Sequence, residues 1–90
     1  MVGYQADKEQ LLKRLARIEG QVRGVSKMVE EERYCIDVLT QIGAIEAALD
    51  KVALGLIDEH TRHCVVEARG GEQAEKVDEL MVALGRFLGR

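Results

Sequence analysis

Apolar residues at Leu11, Leu15, Ile18, Val22, Val25 and Val29 step alternately by four and three, and a second series at Val38, Ile42, Ile45, Leu49, Val52 and Leu56 does the same. This spacing lays one apolar seam along an α-helix, whereas a strand alternates its faces with period two. Two long helices therefore frame the chain. The first is expected from Asp7 to Glu31, with Asp7 as N-cap and Gln10 three residues later completing a capping pattern. The run Glu30-Glu31-Glu32 is unfavourable at a helix C-terminus and marks a turn. The second helix is widened by Ile36, Leu39, Ala48, Ala53 and Ile57, so it faces more than one neighbour. It is expected to continue through His60 and Cys64 and to stop before Arg69-Gly70-Gly71, a glycine pair suited to a C-terminal cap. A third helix fits Glu72 to Leu88, with Val77, Leu80, Met81, Leu84 and Leu88 on one side. No alternating β-branched run and no Asn-Gly or Asp-Gly hairpin signal appears. The expectation is an all-α chain of three helices, one domain over residues 1–90.

A chain of 90 residues has difficulty burying enough surface alone, which favours self-association. With 47% hydrophobic and 32% charged residues it falls outside the disordered class. No apolar run approaches the ~20 residues of a transmembrane helix, and residues 1–10 carry no signal-peptide pattern. The expected location is cytoplasmic, without a membrane partner, so Cys35 and Cys64 are read as thiols or ligands before any disulfide. Aromatic residues make up only 3%, which argues against an aromatic-lined pocket for a small-molecule substrate.

Charge is unevenly placed. Between Lys8 and Lys27 lie six bases (Lys8, Lys13, Arg14, Arg17, Arg23 and Lys27) against two acids, Glu9 and Glu19. A basic helix on a chain of net charge −3 either serves a polyanionic partner or is a solvated face.

Cys35, His60 and Cys64 are the strong ligand candidates. His60 and Cys64, four apart on one helix, are neighbours with Cβ atoms about 5–6 Å apart. By itself such a pair can equally be a buried thiol above a half-exposed imidazole. Cys35 lies 25 residues before His60, which a continuous helix turns into about 37 Å. The three can share a metal only if the helix breaks, or if two copies pair antiparallel so that Cys35 of one meets His60 and Cys64 of the other. A metal site thus implies a homodimer. Two thiolates and an imidazole suit Cu(I). Zinc, with His63 or water as a fourth ligand, stays open, whereas nickel generally prefers more nitrogen and oxygen. His63 is otherwise placed toward solvent or around the ligands.

The string Leu12-Lys13-Arg14-Leu15-Ala16-Arg17-Ile18-Glu19-Gly20-Gln21-Val22-Arg23-Gly24, then Tyr34-Cys35, Gln41-Ile42, His60 and Cys64, resembles the copper-sensing operon repressor family over almost the whole chain. The resemblance implies an all-α repressor whose antiparallel helix-bundle dimers pair into a dimer-of-dimers tetramer. It also implies binding of operator double-stranded DNA without metal and release on binding the inducer. The nickel/cobalt branch has an N-terminal His where this chain has Gly3 or Tyr4, and a His in place of Cys64. The persulfide-sensing branch lacks the His at position 60. The pattern here is therefore the copper type, with Cu(I) on Cys35, His60 and Cys64. The resemblance further implies an outer shell of Tyr34 and Glu79, with Glu79 near His60. It places DNA contacts on Arg14 and Lys51, assisted by Lys13, Arg17 and Arg23, in agreement with the charge asymmetry.

Three other functions compete. A copper or zinc carrier would use the same triad but has no need of a basic first helix. A thiol enzyme with Cys64 and His60 as nucleophile and base lacks a visible orienting residue and oxyanion donor. A bare helical scaffold leaves the Cys-His-Cys spacing to chance.

Overall fold

The computed structural model describes Tyr4 and residues 7–89; Gly3, which bears on the branch assignment, lies outside the described residues. Three α-helices follow one another: α1 (Lys8–Glu30), α2 (Cys35–His60) and α3 (Glu72–Leu88). The described residues contain no strand, and none of their helices is long and apolar enough to cross a membrane. The chain divides within α2, between Gly55 and Leu56, into two compact units.

In the first unit, α1 and the greater part of α2 bury Leu11, Ile18, Ile45 and Val52. All four belong to the two heptad seams. Leu11 reaches the end of this stretch of α2: a methyl group on Gly55 would stand 3.7 Å from Leu11 Cδ2. The other seam members are much less covered. Val22 is 49% exposed, Val29 61% and Leu49 43%, and Ile36 and Leu39, on the wider face of α2, are more than half exposed.

Asp7 occupies the N-cap position of α1, but its side chain makes no capping hydrogen bond, contrary to the expected capping pattern. Its backbone (φ −105°, ψ 7°) is not the extended conformation in which an N-cap side chain reaches the N–H groups ahead of it. The other end of α1 closes as a Schellman motif. Glu32 N–H donates to Val29 O at 3.1 Å and Arg33 N–H to Met28 O at 2.9 Å. This closure needs a left-handed residue, and Glu32 supplies it with φ +55°.

In the second unit the expected regular helix through Cys64 gives way. After His60 the backbone widens into a π-helical turn over Thr61–Val66, where hydrogen bonds run from i to i+5. Cys64 and Val65 are buried in this turn. The link to α3 turns at Gly70, whose φ of +62° is the left-handed conformation a glycine adopts without strain. On α3, Leu80 and Leu84 are half-buried, while Val77, Met81 and Leu88 are 41%, 61% and 76% exposed.

Candidate functional site

The soft donors occupy the two ends of α2. Tyr34 precedes its first turn and accepts hydrogen bonds from the N–H groups of Asp37 and Val38 at 3.0 and 3.2 Å, which fixes where Cys35 begins the helix. Both Tyr34 and Cys35 are exposed. At the other end His60 is the last residue of α2, half-buried, and Cys64 lies in the π-turn, buried. The two cysteines are not joined by a disulfide. Since α2 runs unbroken from Cys35 to His60, Cys35 begins the helix that His60 ends. Among the described residues no three His, Cys, Asp or Glu side chains of one chain stand close enough together to hold a metal ion.

His60 and Glu79 line one cleft of about 300 Å³, together with Tyr4, Leu56, Ile57, Leu80 and Ala83. The α3 carboxylate expected near His60 is thus on its side of the fold. His63 has different company. Its Nε2 is 2.9 Å from Glu59 Oε2 and its Nδ1 is 3.5 Å from Glu67 Oε1. Both ring nitrogens therefore face carboxylates one turn before and one turn after it. Glu59 Oε2 is buried and takes no hydrogen bond among the described residues, so the 2.9 Å approach of the ring is a close charge contact and not a hydrogen bond. Next to it, Asp58 accepts from Arg62 Nε through both oxygens at 3.1 Å, and this raises the Arg62 pKa from its ordinary value.

Two features of the π-turn carry no sequence signal. Thr61 Oγ1 donates to Ile57 O at 2.8 Å. From α3, Gln73 Nε2 donates to Val65 O at 3.2 Å and to Val66 O at 3.4 Å.

The second constellation is basic and lies wholly within the first unit. Gln10, Lys13, Arg14, Arg17, Ile18 and Gln21 of α1 face Ala44, Ala47, Ala48 and Lys51 of α2 across a groove of about 670 Å³. Helical spacing explains the α1 wall, since Gln10, Arg14, Arg17 and Gln21 step by four, three and four. The groove stays open because α2 presents three alanines to it. Four of the five bases expected to meet a polyanion converge here. The fifth, Arg23, is drawn along the helix surface to Glu19, with nitrogen and oxygen 4.0 Å apart. Lys13 stands at the same distance from Glu9. Among the described residues no salt bridge engages Arg14, Arg17 or Lys51, so their charge is available to a ligand. Gln10 and Gln21 were not expected here, although their register with Arg14 and Arg17 was readable. Gln21 Oε1 is buried without a hydrogen-bond partner.

Known proteins are similar to this chain over nearly its whole length. The copper-sensing transcriptional repressor RicR of Mycobacterium tuberculosis is 52% identical over 89 residues, covering 96% of this chain and 93% of its own. Among solved structures, the copper-sensing repressor CsoR of Geobacillus thermodenitrificans, crystallised with Cu(I), superposes with a TM-score of 0.87 at 50% identity, covering 93% of this chain and 88% of its own. The nickel-responsive transcriptional regulator InrS superposes with a TM-score of 0.77 at 44% identity, over 88% of this chain and 90% of its own. Residues 7–86 match the model of the metal-sensitive transcriptional repressors, a family of regulators rather than enzymes, and this chain belongs to that family.

Proposed function

We propose that this protein is a Cu(I)-responsive transcriptional repressor of the cytoplasm, which holds operator double-stranded DNA in its metal-free form and releases it on binding Cu(I), derepressing copper-resistance or efflux genes. The observation that carries this reading is the donor set: two thiols and one imidazole, with His63 set between Glu59 and Glu67. Few soft donors fit Cu(I), which accepts three-coordinate sites. The similarity to copper-sensing repressors supports the same inducer.

In this reading Cys35 of one protomer meets His60 and Cys64 of its partner in an antiparallel homodimer. The unbroken α2 supports that arrangement, as do the apolar residues left exposed along it. Two such dimers form the tetramer. Tyr34 and Glu79 act around the ligands, Glu79 by orienting the His60 ring through its second nitrogen. Arg14 and Lys51, with Lys13, Arg17 and Arg23, bind the DNA backbone, where the planar fork of arginine bonds two phosphate oxygens at once. When bound, Cu(I) would supply a bridge between two protomers.

The deciding experiment is an anaerobic Cu(I) titration of the operator-bound protein followed by fluorescence anisotropy, with Ni(II) in a parallel cell. Loss of anisotropy with Cu(I) alone supports the reading. Release by Ni(II) alone selects the second reading, a nickel sensor, which the similarity to InrS keeps in view.

A further inference from the structure

We infer that Gln73 is a positioning residue for Cys64, holding the π-turn from which the thiol is presented and so tying the start of α3 to the metal site. The inference rests on the reading of Cys64 as a Cu(I) ligand. A π-turn is an unusual backbone state and recurs at functional sites; here it separates His60, the last α-helical residue, from Cys64 within the turn. Thr61, Arg62, His63, Cys64, Val65 and Val66 contain no glycine or proline that would force the change. Thr61 Oγ1 engages Ile57 O at the start of the turn, and the other end is met from α3.

Gln73 makes that contact. Its Nε2 donates to the carbonyls of Val65 and Val66, the last two residues of the turn. The end of a helical segment leaves carbonyls without intrahelical partners; Val65 O also accepts from Ala68 N–H at 3.3 Å, so Gln73 adds a second donor there and supplies a donor to Val66 O. The residue is in turn fixed by its backbone, since Gln73 N–H donates to Gly70 O at 3.4 Å within the link whose left-handed Gly70 sets the direction of α3. One neutral side chain thus spans from the first turn of α3 to the peptide groups directly following Cys64. Without it, Val66 O loses its side-chain donor and Val65 O keeps only its backbone bond, so the C-terminal end of the turn is held less firmly to α3. Loosening there lets the Cys64 thiol shift relative to His60.

The test compares Gln73→Met, which keeps length and removes the donors, with Gln73→Lys, which keeps a donor on a chain long enough to reach. Cys64→Ser serves as the reference for ligand loss. Cu(I) affinity is measured by competition with a chromogenic chelator, alongside the ultraviolet thiolate-to-Cu(I) absorption and amide hydrogen exchange of the metal-free proteins. Gln73→Met is expected to weaken Cu(I) binding by about 10-fold, the lower end for a group that orients a ligand. It should also lower the ultraviolet band and speed exchange in residues 61–68, with Gln73→Lys restoring all three. If Gln73→Met shifts only the melting temperature while affinity and absorption match the parent, the inference is overturned. If Cys64→Ser itself binds Cu(I) like the parent, the ligand reading has failed instead, and hydrogen exchange alone then decides whether Gln73 holds the turn.

Discussion

His63 Nε2 stands 2.9 Å from Glu59 Oε2, one turn back along the chain. With Glu67 at 3.5 Å from the other nitrogen, this imidazole stands between two carboxylates. His63→Gln should therefore leave about one Cu(I) bound per protomer with an unchanged ultraviolet band, because no ligand is lost. A loss of stability is expected beside this, because the Glu59 side chain, only 14% exposed, loses its neighbour at 2.9 Å. Loss of stoichiometric binding in this variant, measured by the same titration, would make His63 a ligand.

Antiparallel pairing makes a sharper demand. With the proposed ligands, Cys35→Ala and Cys64→Ala would each remove a donor from both sites of a homodimer, yet a mixed dimer would keep Cys35 on one chain and His60 and Cys64 on the other. Mixing the two variants should restore one intact site per heterodimer, read as recovered Cu(I) absorption. Recovery of none, with each single variant still forming its own two-donor site, would confine the ligands to one chain.

Arg14→Ala and Lys51→Ala face the same groove from α1 and α2. Each should weaken operator binding while leaving Cu(I) affinity near that of the parent. Each should also reduce the slope of log affinity against log salt by about 0.9, the loss of one phosphate contact. Unchanged slopes in both variants would reduce the groove to a solvated surface.

Glu32 closes α1 from a left-handed backbone at φ +55°. A side chain costs roughly 1–2 kcal/mol there, and its negative charge opposes the helix dipole. Allowing for the greater freedom of glycine in the unfolded chain, Glu32→Gly should stabilise the protein by about 1 kcal/mol, a rise of about 4–8 °C in Tm for a domain of this size. Gly70→Ala, at φ +62°, should act in the opposite sense. A lower Tm for Glu32→Gly would mean that the Glu32 side chain has stabilising contacts of its own.

These residues also mark how far the sequence can be read. Leu11, Ile18, Ile45 and Val52 announce their burial through spacing, because a seam at 3.5 residues has only one helical solution. The same spacing includes Val22, Val29 and Leu49, which one chain leaves largely uncovered; periodicity gives the face of a helix but not which body covers it. The acidic run signals the end of α1, but the closure through a left-handed glutamate breaks the preference for glycine and has no local signature. The π-turn is less legible still. Its last two carbonyls accept from Gln73, seven and eight residues onward in another helix, a contact that no helical periodicity announces. The spacing of Cys35, His60 and Cys64 and the bases of α1 stand out in the sequence because the proposed roles there depend on residue type. Gln10 and Gln21 carry no charge to draw notice, and only the facing alanines of α2 bring them into the groove.

The switch itself rests on reciprocity. If Cu(I) weakens DNA binding, DNA must weaken Cu(I) binding by the same factor. In the proposed dimer, tying the start of one α2 to the end of its partner would fix the angle between them, and the bases of the α1–α2 groove would then lose register with the phosphates. His60 is the proposed lever for this change. It shares its cleft with Glu79 of α3, so a ring held at one nitrogen can pass its orientation through the other. His60→Ala leaves two thiolates able to hold Cu(I) but removes that connection. The coupling in the parent is expected at about 1–3 kcal/mol, or 5–150-fold in affinity. In His60→Ala it should fall toward zero: Cu(I) binds, and operator anisotropy stays high. Should the variant release DNA on copper addition as fully as the parent, the two thiolates alone would be the switch, and the path through His60 and Glu79 would play no part in it.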